Sequence, residues 1–199
     1  MSIRDWFSTE TRKYELVRDQ QIVADSTTLY RIRALKSFGK VKAGDLGGFI
    51  GSERNLSQDG QCWVSDEARV YGTAYVSDNA QVSDHARVFD NARVSGDALV
   101  FEKSRIYGDA QLHDKATVCG EGQVFEKASV YGDSIICDHS LVCGDALVYG
   151  ETLISGHAQV FDQAQVSGET VSGETKIRGN IGREPIGSLT PRSPHIKPR

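Results

Sequence analysis

The sequence is short of most features that would place it quickly. No apolar run reaches the length of a membrane span, and the opening MSIRDWFSTETRKY holds no apolar core of a secretory signal. A cytoplasmic protein with no membrane segment is expected. Cysteine is scarce: Cys62, Cys119, Cys137 and Cys143 have neither the spacing of a zinc site nor the density of a disulfide-stapled secreted domain. Free thiols are expected, with Cys119 and Cys137 as neighbours. All four prolines lie in REPIGSLTPRSPHIKPR, which therefore cannot continue a strand ladder. The glycine-rich AGDLGGF lacks the Gly-Lys-Ser/Thr ending of a phosphate loop and reads as a turn. Positive charge is lacking where it would matter for DNA: the net charge is −4 overall and −10 across residues 61–170. General DNA binding, which depends on cations displacing counterions, is disfavoured on that ground.

What is present is a period. Every sixth residue from Val64 to Val166 is Val, Leu or Ile. Two places before each comes a small residue, mostly Ala, otherwise Cys62, Ser104, Gly122, Ser134, Ser140 or Thr152. Two places after each comes Gly, Asp or Glu, residues that suit turns. A period of six matches neither the 3.6 of a helix nor the 2 of a long strand. It fits a short strand plus a corner, three of which close an 18-residue triangular coil with the aliphatic residue on the axis. About six coils follow, roughly 29 Å of rod at ~4.8 Å per coil. Burying three valine-sized side chains stabilises a coil by roughly 5–8 kcal/mol, less than the cost of ordering its backbone. A lone coil cannot fold, and the array must fold together.

The fold class expected is all-β, with three segments along the chain. Residues 1–60 form a small β-rich cap over the first coil, with strands at Lys13–Val17 and Thr28–Leu35 and tight turns at Gly44, Gly47 and Gly48. Residues 61–182 form the β-helix, with a bulge or frayed coil after Val166, where the spacing slips by one. Residues 183–199 form a basic, Pro-rich tail, suited to packing along an acidic neighbouring rod.

The hexapeptide pattern over 61–182 resembles the single-stranded left-handed parallel β-helix of the hexapeptide-repeat proteins. One departure is that the residue after the aliphatic one is often bulky (Tyr71, Phe89, Phe101, Tyr107, Phe125, Tyr131, Tyr149, Phe161). KVKAGDLGGFIGSERNLSQDGQCWVSDEARVYG, from Lys40 to Gly72, is similar to the entry segment of bacterial and phage-encoded repeat proteins, some assigned as acyltransferases. The resemblance implies left-handed coils, trimers and, in the enzymes, a histidine base acting on acyl-CoA between subunits. His113 and His139 are the candidates for such a base. The repeat carries no inserted loop to build a substrate site, and the histidines do not offer the three ligands of a β-helical carbonic anhydrase, so no metal is expected.

Sorting outward residues by the 18-residue period gives three faces. The first carries a ring column, Tyr71, Phe89, Tyr107 and Phe125, beside an arginine column, Arg69, Arg87 and Arg105. An exposed apolar strip of that size marks an interface. Stacked rings beside guanidinium groups suit either self-association or a planar anionic ligand. The expectation is a non-catalytic, oligomeric interaction protein, trimeric by resemblance and of phage or prophage origin. It would bind a host protein or sequester a nucleotide-like anion without a cofactor. An acyltransferase using acyl-CoA and a structural or virion component are the alternatives.

Overall fold

The computed structural model describes residues 12–182; the expected tail at 183–199, with His195, lies outside the described residues. Of the described residues, 46–182 form a parallel β-helix, entered through an antiparallel hairpin. Outward of the cap every strand is two or three residues long, and among the described residues there is no α-helix. None of the described helices is long and apolar enough to cross a membrane.

Three parallel sheets run along the rod. The second and third faces have seven strands each, and the first face continues into the cap as a ten-stranded sheet. Pairing is in register at an 18-residue step: Val100 pairs with Val82 on one side and Val118 on the other. The aliphatic column from Val64 to Val166 is at most 1 % exposed, so it forms the axis as the pattern predicts. The hydroxyls that stand in for alanine are satisfied locally. Ser104 Oγ donates to Phe101 O at 2.7 Å and Thr152 Oγ1 to Tyr149 O at 2.6 Å.

There are about seven turns, one more than the repeat count gives, because the helix starts earlier than residue 61. Strand β1 (Tyr14–Ala24) and strand β2 (Thr27–Ala34) form an antiparallel hairpin, and β2 pairs with strand β3 (Leu46–Ile50). Strand β3 then pairs in parallel with Arg69–Val70, so it already belongs to the first coil. Gly47 and Gly48 are not turns, as expected from sequence, but lie inside β3. A Cβ on Gly47 would sit 2.5 Å from Val64 O, so the strand needs glycine to press against the next coil. Gly44, at φ +94°, is a turn. At the far end the coil survives the slip after Val166: Leu153 pairs with Thr170, a 17-residue step, and Val166 with Ile181.

The corners explain the acidic composition. Each is a β-turn, as where Ala68 N–H donates to Ser65 O at 3.1 Å, and its first central residue has positive φ. Asp66 sits at φ 54° and Gly72 at φ 68°. The corner acids are more than solvated turn residues. Asp78, Asp84, Asp90, Asp114 and Asp138 each accept the backbone N–H of the equivalent corner one coil on, at 2.9–3.2 Å. Glu126 does the same to Gly144 at 2.7 Å, and Glu102 bonds Gly120. A carboxylate thereby offsets the strain of a left-handed non-glycine residue and ties coil to coil.

This gives an acid dependence. The N–H of Gly132, then the His113 side chain, hold the Asp114 carboxyl below its ordinary 3.8. A depressed folded value means that its contribution is present above the unfolded value and is lost as pH falls through the folded one. The melting-temperature difference between wild type and Asp114→Ala is expected to be larger at pH 7 than near about pH 2.5. A difference that stays constant across that range would show that the carboxylate does not tie the coils.

Candidate functional site

The first face carries the candidate site. In-register pairing sets like positions one coil apart, so planar side chains adopt a common rotamer and stack. Ring centroids lie 5.3 Å apart for Tyr71–Phe89, 5.0 Å for Phe89–Tyr107 and 4.9 Å for Tyr107–Phe125, with planes within 6° of parallel. Beside them Arg69, Arg87 and Arg105 stand on consecutive paired strands. The Tyr107 hydroxyl reaches Gln123 Oε1 at 3.3 Å, and burial raises its pKa. Arg105 also lines a shallow pocket of about 320 Å³ with Lys103, Glu121 and Gln123. Cys143 follows Phe125 on the column, then Phe161, whose ring lies 4.9 Å from the Arg178 guanidinium.

The column is not open along its whole length. The β1–β2 pairing shifts register between Val17 and Gln21, an irregularity of the kind that lets a ribbon bend. Its turn, Asp25 at φ 45° and Ser26 at φ 64°, comes down onto the wall. Ala24 and Leu29 pack with Phe49 and Tyr71, and Ile22 and Phe89 border that cluster. The Tyr71 hydroxyl donates to Asp25 Oδ2, which also lies 3.5 Å from Arg87 Nη2. Tyr71, expected on an exposed wall, is therefore only 4 % exposed, and this corrects the sequence reading. Burial, then the bond to Asp25, pushes its hydroxyl well above the usual tyrosine range, so it remains a donor. Arg87 Nε is buried without a partner. Phe89, Tyr107 and Phe125 stay half-buried, Arg69 is half-buried and Arg105 is exposed.

His113 and His139 stand on different sides of the rod. His113 is on the second face, stacked on Tyr131 at 4.8 Å with Tyr149 beyond, and its Nδ1 lies 3.4 Å from Asp114. His139 is an exposed corner residue stacked on His157 at 5.0 Å, with Nδ1 3.4 Å from Glu121. The fold does not bring them together. Among the described residues no group of three or more His, Cys, Asp or Glu side chains is arranged to hold a metal. The Cys119 thiol is pushed up to about 11, by burial first and then by Cys137 beside it.

Sequence reasoning missed two polar anchors. Asp25 lies 46 residues from Tyr71 and no repeat links them. Lys13 is fully buried at the capped end of the axis, where Nζ donates to Asp59 O at 3.1 Å, Cys62 O at 3.0 Å and Cys62 Sγ at 3.2 Å.

The coil geometry and the six-residue pattern together define a parallel β-helix built of six-residue repeats. Residues 80–96, close to one coil, match a family model described as the YdcK Beta solenoid repeat. No curated protein matches the chain.

Proposed function

We propose that this is a non-catalytic interaction protein, of phage or prophage origin and active in the cytoplasm, that binds a host protein through the first face. The observation that carries the reading is the stacked column Phe89–Tyr107–Phe125, which continues past the hairpin-covered Tyr71, beside Arg69, Arg87 and Arg105 in register. Aromatic and arginine side chains are the types enriched at interface cores, and a ring held by its neighbours loses little entropy when covered. The strip is shallow and runs along the rod, a shape that suits a polypeptide better than a compact small molecule. A small anionic, nucleotide-like ligand held by the same rings and guanidinium groups is the second outcome to be tested. Assembly as a homo-oligomer, with trimers as the first expectation, is part of the proposal.

The test is native mass spectrometry of the purified protein from its host, wild type against Phe125→Ala/Arg105→Ala. A bound protein or small molecule present with wild type and lost with the variant is expected. Identical bound species in both would remove the first face from the function.

A further inference from the structure

The chain already holds one ligand on this wall, its own hairpin, and that contact shows what chemistry the wall accepts. Over Tyr71 the occupant supplies aliphatic cover from Ala24 and Leu29, with Ile22 at the border, and one carboxylate, Asp25. The carboxylate takes the ring hydroxyl and approaches the Arg87 guanidinium, while that guanidinium lies 5.9 Å from the Tyr71 ring. Ring floor, aliphatic cover, carboxylate and arginine make one unit of recognition.

The fold repeats the ring and the guanidinium of that unit one coil on, with Phe89 in the place of Tyr71 and so without its hydroxyl, and leaves that guanidinium without a carboxylate. Arg105 pairs in register with Arg87, and Tyr107 and Phe125 continue the ring floor beyond Phe89, where the hairpin ends. Unlike Arg87, Arg105 is exposed and forms no ion pair among the described residues, although the body of the rod is strongly acidic. An unpaired guanidinium beside half-buried rings complements a carboxylate next to an apolar side chain.

We infer that Phe89, Tyr107, Phe125 and Arg105 take an extended acidic segment of a partner protein, laid beside the hairpin with an aliphatic residue on the rings and an Asp or Glu carboxylate on Arg105. The inference rests on the proposed function and narrows it: the partner supplies an acidic strand or hairpin rather than a basic or phosphorylated one.

The test uses the whole protein and two probes, a displayed library of random dodecapeptides and a cyclised copy of Gln21–Tyr30 carrying Asp25. Selected peptides are expected to place Asp or Glu next to an aliphatic residue. They and the cyclised copy should bind about tenfold more weakly to Arg105→Ala, the loss of one charge-assisted bond. Their binding should be unchanged in Tyr149→Ala on the second face. Selection of basic or sequence-neutral peptides, equal binding to wild type and Arg105→Ala, or no selection above the Phe125→Ala/Arg105→Ala background would overturn the inference. If peptides fail while that double variant still loses a bound species in native mass spectrometry, only this inference falls and the broader reading stands.

Discussion

Val118→Asp is expected to abolish cooperative folding of the rod rather than to weaken it by a degree. Val118 is fully buried on the axis, and its strand is flanked by those of Val100 and Ile136. Its partners one coil either side on that axis, Val100 and Ile136, offer the new carboxylate no donor. An unpaired charge there costs several kcal/mol, against about 2 kcal/mol for the cavity left by Val118→Ala. The repeat architecture enlarges the effect. Each coil is held by its two neighbours and cannot stand alone, so damage in the middle removes both of the interfaces that the central coil makes. Circular dichroism melting and limited proteolysis would show it: wild type and Val118→Ala should melt cooperatively, and Val118→Asp should be cleaved within the repeat before heating. A Val118→Asp protein that melts within a few degrees of Val118→Ala would mean that residue 118 does not face the axis.

What could be read in advance was whatever the period dictates. A residue at a fixed phase of an 18-residue coil has a fixed direction, so Val88 on the axis, Ala86 at the corner and Phe89 beside Tyr107 follow from counting. The corner residues were identified as turn formers for the same reason, but their second bond was not visible. Asp78 can reach Gly96 N–H only because the coils are about 4.8 Å apart and both corners are left-handed, a property of the stack and not of either residue. The cap was the least legible part. Gly47 looks like a turn residue in a glycine-rich run, yet it is small because Val64 O would meet any side chain.

The same distinction divides the candidate site. Its columns were legible because Arg87, Arg105, Phe89 and Tyr107 are periodic. Its limits were not, because the hairpin that covers Tyr71 has no period and reaches the wall through a bend near Val17–Gln21. The outcome is a surface with two states of occupancy on one ladder. Asp25 fills the Tyr71–Arg87 step, and Arg105 stands open on the next.

The capped end makes the second large effect measurable. Lys13→Met is expected to destabilise the protein by about 2–4 kcal/mol and to make Cys62 accessible to thiol reagents. Two opposing terms decide the sign. Burying an ammonium costs solvation, and methionine could fill similar space without a charge. Against that, Lys13 Nζ is the donor for Asp59 O and Cys62 O at the buried end of the axis, and methionine donates nothing. Leaving the buried Cys62 carbonyl without a donor costs about 1–3 kcal/mol, the part-buried Asp59 carbonyl loses its bond, and the interaction of Lys13 with the Phe38 ring at 5.2 Å is lost as well. These losses outweigh the relief of burying no charge. Burial raises the Cys62 thiol pKa while Lys13 lowers it, so removing Lys13 leaves less thiolate. Faster labelling of Cys62, followed by peptide mapping against the half-buried Cys119, Cys137 and Cys143, must then report opening of the cap rather than a more reactive sulfur. If Lys13→Met melts at or above the wild-type temperature with Cys62 still protected, the axis is closed by apolar packing alone and the buried ammonium is a net cost.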